Sequence, residues 1–293
     1  MSLKDDIKLY AVERLDMDYC GITGVDRLAG APEGHRPTDL LPGAKSVVVM
    51  AVKLSQGVVQ TIFRAHEDGL REAMSIYGSY GYSLFPNYYL KFAAYSLARF
   101  LEKRGHMSTP MPSGPGSAGA PFSNRHAAVA AGIGVFGWSS IVIAPDYGPR
   151  IRIVSVITRA EIEPDPMYSG PEICNPQKCG ICIRVCPTHA ISATRTKTVT
   201  MGGREFTYNY LDFNACQVGT EGLTKKNLAL KDITVPDNPT REDLEEARKQ
   251  IDPRQRMEVI GGSPAYHCGK CLAYCPTGPK GWLKTVSSRD LTK

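Results

Sequence analysis

The sequence predicts a mixed α/β (α+β) unit followed by a smaller, cysteine-rich unit. Three observations carry that expectation. Apolar runs and amphipathic stretches alternate through the first 160 or so residues; eight of the nine cysteines fall after residue 170; and two of the cysteine runs share one spacing. With 293 residues, 42% of them hydrophobic, the chain can bury a sizeable core. The length fits one unit over residues 1–163 and a second over 164–293.

Taken in order, Leu3 to Leu15 reads as an amphipathic helix, and Ser46 to Val52 (SVVVMAV) as a strand buried on both faces. Tyr88 to Arg104 places Leu90, Phe92, Ala93, Leu97, Phe100 and Leu101 at helical spacing, and Gly105 follows as a cap. Ile141 to Ala144 and Ile151 to Ile157 are strand-like, joined by the turn PDYGPR. Helices and strands therefore alternate around a covered sheet. Arg241 to Gln250 is a further helical stretch inside a polar insertion of about residues 197–262.

No run of about 18 apolar residues occurs, and MSLKDDIKLY lacks a secretory or twin-arginine pattern, so the expectation is a cytoplasmic protein with no membrane partner. The net charge is +6, but the cations are scattered rather than blocked, which argues against a nucleic-acid face.

The cysteines decide the class of chemistry. One run is Cys174-NPQK-Cys179-GI-Cys182-IRV-Cys186-Pro187, and another is Cys268-GK-Cys271-LAY-Cys275-Pro276. This is close to the bacterial ferredoxin pattern, in which three cysteines wrap one [4Fe–4S] cubane and the fourth, before proline, reaches the other cluster. Two-residue gaps let consecutive thiolates converge on neighbouring corners of one cube. Two cubanes need eight ligands, the runs supply seven, and Cys216 is the natural eighth. The crossed rule then assigns Cys174, Cys179, Cys182 and Cys275 to one cluster, and Cys186, Cys216, Cys268 and Cys271 to the other. Structural zinc is the alternative, since C-x2-C pairs also make knuckles, but it does not account for two x3-Cys-Pro endings. Cys20 is left over and reads as a buried thiol. Two oxidised cubanes carry about two negative charges each, which brings +6 down to about +2.

Gly114, Gly116 and Gly119 spell G-x-G-x-x-G, the fingerprint of a dinucleotide-binding turn. The context fails it. Pro110 and Pro112 precede the motif where a strand should end, Pro115 sits inside it, and no acid occurs between Gly119 and Asp146. Downstream, HAAVAAGIG reads as a short helix of small side chains. Such a helix packs tightly on a sheet or lies against something broad and flat.

The pieces YLKFAAYSLARFLEKRGH, PFSNRHAAVAAGIGVFGWSSIVIAPDYGPRIRIVSVIT and CNPQKCGICIRVCPTHAIS, with LLPGAKSVVVMAV before them, resemble the family that joins epoxyqueuosine reductases and corrinoid-dependent reductive dehalogenases. The resemblance implies a nitroreductase-like domain holding a base-off cobamide, followed by a ferredoxin-like domain with two [4Fe–4S] clusters. No histidine lies in a D-x-H-x-x-G motif, in agreement with base-off binding. Arg125, His126, Ala130, Gly132, Gly134 and Gly137 are the residues the resemblance sets beside the cofactor. In epoxyqueuosine reductases an acidic proton donor stands seven residues before an arginine. Arg125 matches the arginine, but the acid's position is Ala118. The tRNA-binding repeats of some relatives have no counterpart in the 18 residues after Cys275, so tRNA is not the expected substrate.

Another proton source is then needed. The related dehalogenases use a tyrosine assisted by a basic residue. Tyr80, Tyr82, Tyr88 and Tyr89 are the candidates here, with Arg125 as partner, because a nearby cation lowers a phenol's high intrinsic pKa. Packing at a domain seam is the equal alternative for each. His126 reads either as a titrating group or as a packed side chain, and Arg150 and Arg152 as phosphate contacts or as a solvated face.

Three functions follow. The first is a cobamide-dependent oxidoreductase that reductively cleaves a carbon–heteroatom or carbon–halogen bond in a small molecule, fed by a low-potential donor such as a ferredoxin or flavodoxin. The second is a ferredoxin-type electron-transfer protein that does no chemistry of its own. The third keeps the reductase but replaces the cobamide with flavin.

Overall fold

The computed structural model describes residues 2–70, 72–82, 85–113, 120–224, 232–251, 268–280 and 282–283. Gly114, Gly116, Ala118 and Gly119 lie outside the described residues, as does part of the insertion. At the centre is a four-stranded antiparallel sheet in the order β1 (Tyr19–Gly24), β2 (Ser46–Lys53), β6 (Ile151–Thr158), β3 (Ser108–Pro110). Register is set by pairs such as Gly24 with Ser46 and Ser46 with Thr158.

The unbroken apolar run of β2 follows from helices covering both faces. Val48, Met50 and Val52 point to one side, where they meet Ile7 and Ala11, and Leu90, Ala94, Leu97 and Leu101. The first pair comes from α1 (Leu3–Leu9) and the π-helical turn Tyr10–Arg14 that continues it. The others lie on α5 (Phe85–Glu102). Val47, Val49 and Ala51 point the other way, onto Ala127–Ala130 of α6 (Asn124–Ala130).

α1 starts on a capping box in which Ser2 and Asp5 each satisfy the other's backbone N–H. The helix expected over Leu3 to Leu15 is α-helical only to Leu9. The helix expected from Tyr88 begins at Phe85, with Pro86 tolerated because it sits in the first turn. α6 is capped by Ser123 and ends before Gly132, whose φ of +78° only glycine adopts freely.

The strands β4 (Val135–Phe136) and β5 (Val142–Ile143) form a small ribbon after α6. Leading into the polar insertion, β7 (Ile191–Met201) and β8 (Arg204–Leu211) form a hairpin. Met201 and Tyr208 of that hairpin share the core of α6 and the central sheet.

The last described segment enters another core. Leu272, Ala273, Tyr274 and Trp282 pack with Leu54, with Val59, Ile62 and Phe63 of α3 (Gln56–His66), and with Met74 and Tyr77 of α4 (Ala73–Tyr77). Residues on both sides of position 163 thus share two cores. The helix expected over Arg241 to Gln250 is α9 (Arg241–Lys249), capped by Thr240 and Asp243. It packs Leu244 and Ala247 against Val218 and Leu223, at and just beyond α8 (Phe213–Thr220). No described helix is long and apolar enough to cross a membrane.

Candidate functional site

The two cysteine runs adopt one local structure twice. In each C-G-x-C step the glycine is left-handed, Gly180 with φ of +60° and Gly269 with φ of +58°, and a short helix starts after it. These are α7 (Ile181–Val185) and α10 (Lys270–Ala273). The left-handed residue reverses the chain between two cysteines, so both thiols can face the same side.

By their electrostatic neighbours the thiols fall into two groups. Burial pushes Cys182 up to about 12, with further upward pressure from Cys174, Cys275 and Cys179. Burial also raises Cys174, against the N–H of Trp138, which donates to its Sγ at 3.3 Å. In the second set burial takes Cys216 to about 11, helped by Cys268 and Cys186. Cys271 is raised well above the usual thiol range by burial, then by Cys268, Cys216 and Cys186. Cys182 also acts on Cys271, so the sets adjoin.

Neutral thiols crowded in this way are poised to lose their protons when a cation supplies the missing charge. Among the described residues, no three His, Cys, Asp or Glu side chains converge closely enough to hold a single ion. Thiolates of a cubane attach to four different irons and stand further apart than the ligands of one zinc. All nine cysteines are free of disulfides, and burial raises Cys20 to about 12, outside both sets.

Side chains from the first 163 residues surround these sets. Arg150, at the end of the PDYGPR turn, has no exposed surface. Its guanidinium donates to the carbonyls of Leu272 (3.4 Å), Cys275 (3.0 Å) and Thr277, and lies 3.9 Å over the Trp282 ring. It is neither a phosphate contact nor a solvated cation, but a clamp on the loop that carries Cys275. Burial lowers it to about 10, while the nearby Cys275 favours its charge.

Arg152 donates to the Tyr77 hydroxyl at 3.2 Å. Burial raises Tyr77 despite Arg152, and Cys271 and Cys268 add to the rise. Tyr82, on the π-helical turn Gly78–Tyr82, is raised by burial, then by Tyr77 and Cys216.

Of the tyrosines singled out with Arg125, Tyr82 has Arg152 as its cation neighbour, at 5.9 Å from the ring. Tyr89 donates its hydroxyl to the Leu15 carbonyl at 2.7 Å. Tyr80 and Tyr88 are exposed. Arg125 instead donates to the Ser140 carbonyl and has Tyr208 as its electrostatic neighbour.

His126 Nδ1 lies 2.6 Å from Ser123 Oγ, and Nε2 lies 3.1 Å from the Tyr208 hydroxyl. Burial, then Arg125 and Lys197, lower this histidine to about 4, so it is neutral at pH 7. Tyr77 and Tyr208 are what sequence reasoning missed, and Arg150 and Arg152, which it named, have buried partners that it did not find. The only signal for the arginines was their place in an apolar GPRIRIV strand, where a cation must find buried partners.

The small-residue segment faces protein. A Cβ at Gly132 would meet the Pro166 carbonyl oxygen at 2.2 Å, one at Gly134 the Ile143 oxygen at 2.2 Å, and one at Gly137 the Ile143 side chain at 2.5 Å. Ala130 is fully buried and its carbonyl accepts from Arg27 at 2.8 Å. Ala130, Gly134 and Gly137 are buried, Gly132 is half-buried, and at each glycine the space a side chain would take is filled by the protein's own atoms. A shallow cleft of about 330 Å³ does open beside Cys174, lined by Val135, Phe136, Tyr168 and Arg204 among others.

No protein-family model matches the chain. By structure it is similar to an epoxyqueuosine reductase (TM-score 0.57, 20% identity, 94% of this chain and 65% of that one). It is also similar to the epoxyqueuosine reductase of Bacillus subtilis (TM-score 0.51, 19% identity, 92% of this chain and 80% of that one). By sequence it is similar to a tetrachloroethene reductive dehalogenase of Desulfitobacterium hafniense, with 36% identity over 101 residues, which are 34% of this chain and 17% of that protein. A second such dehalogenase, of Sulfurospirillum multivorans, matches at 33% over 98 residues, 18% of its length. The matched stretch is thus under a fifth of those relatives. In fold the chain stands with the epoxyqueuosine reductases, and over a third of its sequence with the reductive dehalogenases.

Proposed function

We propose that the chain is an iron–sulfur oxidoreductase that uses two [4Fe–4S] clusters to drive the reductive cleavage of a small molecule. The observation that supports it most is the pair of half-buried four-thiol sets, Cys174, Cys179, Cys182 and Cys275, and Cys186, Cys216, Cys268 and Cys271. Within each, the described electrostatic contacts link thiols from distant parts of the chain. The likeness to reductases supports the same class of reaction.

Two such clusters, when bound, supply one-electron transfers at low potential. The protein's own part is to hold thiolates at both sets, keep water from them, and fix the Cys275 loop through Arg150. Trp138 N–H, aimed at Cys174 Sγ, stabilises that thiolate.

The cobamide rests on family likeness alone. Ala130, Gly132, Gly134 and Gly137 do not fit it, being closed by Arg27, Pro166 and Ile143, so no step is derived through it. That closure favours the second reading, an electron-transfer protein that serves a partner.

The test is the iron, sulfide, cobalt and flavin content of protein purified and reconstituted without oxygen. Roughly eight irons and eight sulfides per chain are expected, and zinc in their place would overturn the reading. Cobalt retained after cobalamin is offered supports the cleaving enzyme. A yellow protein supports flavin in its place, and clusters with neither favour the electron carrier.

A further inference from the structure

Phe85, Tyr88, Phe92 and Tyr95 follow one another on α5 at spacings of three, four and three residues, so they form one stripe. They are 64%, 54%, 70% and 55% exposed, while Leu90, Ala93, Ala94 and Leu97 on the opposite side are buried in the core. Tyr80, also exposed, extends the stripe through a ring contact with Phe85 at 6.0 Å. Cations sit among the rings. Lys91 Nζ lies 5.0 Å from the Tyr88 ring centre, and the Arg99 guanidinium 5.7 Å from that of Tyr95. From Phe85 to Phe100 the helix carries no acid. Single exposed apolar residues are ordinary, but a contiguous aromatic stripe interleaved with Lys and Arg has the composition of an interaction surface.

We propose that this face docks an acidic, low-potential electron-transfer protein and is the port through which electrons enter. The proposal rests on the iron–sulfur reading above. Charge selects the partner, because two copies of one cationic face set against each other bring like charges together, whereas an acidic protein is attracted and steered. Position selects its role. The stripe begins at Tyr80, on the same π-helical turn as Tyr82, which has Cys216 as an electrostatic neighbour. The Tyr82 ring lies 6.1 Å from that of Tyr77, which neighbours Cys268 and Cys271. In the step, the reduced donor loses one electron and the cluster on Cys186, Cys216, Cys268 and Cys271 gains it, with no bond made or broken.

The test uses the anaerobically purified, cluster-loaded full chain. Bleaching of its cluster absorbance is followed after mixing with a reduced acidic bacterial-type ferredoxin or, separately, with dithionite. The variants are Phe92→Glu with Tyr95→Glu, and Lys91→Glu with Arg99→Glu, all at exposed positions. Expected is a loss of about tenfold or more in the ferredoxin rate for both pairs, a steep fall with salt for the unmodified chain, and dithionite rates unchanged within about twofold. Ferredoxin rates unchanged in both pairs would overturn the proposal. So would an unmodified chain that is a dimer by light scattering and becomes a monomer in the variants without loss of ferredoxin rate, which assigns the face to a second copy. A chain that holds no iron and is bleached by neither reductant sinks the iron–sulfur reading itself, and this proposal with it.

Discussion

Arg150 carries its charge into a place with no exposed surface, and three carbonyls of the Cys275 loop and the face of Trp282 take the place of water. Replacing Arg150 with Met leaves those carbonyls unpaired, so thermal or denaturant unfolding is expected to show a loss of roughly 2–4 kcal/mol. Iron held through Cys275 should leave faster to a chelator. Lys at the same position restores little, because one ammonium cannot reach what the planar guanidinium fork spans. His126 makes a second prediction. Its folded pKa of about 4 lies below the ordinary 6.5 because burial penalises the cation. The unfolded chain therefore binds the extra proton first. Stability from this group is complete above about pH 6.5 and is lost as pH falls toward 4. His126→Gln should flatten the stability profile across that window, as read by urea unfolding at several pH values.

At the scale of elements, the two C-G-x-C turns look equivalent but sit in different surroundings. A Cβ at Gly269 would lie 2.8 Å from Tyr77 Cε1 and 2.9 Å from Ile62 Cδ1, both buried ring and core atoms, whereas at Gly180 its close contact is the flexible Arg184 Nη1, at 3.0 Å, with the Pro176 oxygen at an ordinary 3.6 Å. Both positions share the cost of a left-handed backbone, about 1–2 kcal/mol for an L side chain. Gly269→Ala is therefore expected to destabilise by roughly 1–2 kcal/mol more than Gly180→Ala, measured by thermal unfolding. The hairpin β7–β8 is a further case of context. Its alternating Phe206, Tyr208 and Tyr210 are legible as a strand only once a partner is known. Tyr208 is 5% exposed because it stacks on Phe136 at 4.4 Å, while Tyr210, on the same strand, is left exposed.

Across the whole molecule, the crossing of the cysteine runs predicts which double variants strip one cluster and which strip two. Cys174→Ala with Cys275→Ala removes ligands of one set and should leave roughly four irons per chain. Cys271→Ala with Cys275→Ala takes one ligand from each set and should leave roughly none. Without crossing the two results exchange, and iron content with the paramagnetic signal of the reduced protein decides between them.

Much of this was legible along the chain because it is written in local pattern. The run Ser46–Val52 announced a buried strand and Ile151–Ile157 a strand, since a strand covered on both faces has no polar alternation to preserve. The spacing of Cys174, Cys179 and Cys182, and of Cys268 and Cys271, announced convergent thiols because the geometry of a two-residue gap is local. Other features depend on residues distant in sequence and needed the tertiary structure. Arg150 and Arg152 could be told from solvated cations only when their partners arrived 122 and more residues downstream, or 75 upstream. Arg125 finds Tyr208 rather than the tyrosines of 77–89, because Tyr208 of β8 enters the same core as α6 while α5 turns Tyr88 outward. Composition showed that Ala130 to Gly137 needed a close neighbour, but only the fold decided that the neighbour is the protein's own backbone at Pro166 and Ile143. The physical reason is range: spacing and periodicity act within a few residues, whereas burial, charge pairing and close approach are decided by whichever distant segment the fold brings alongside.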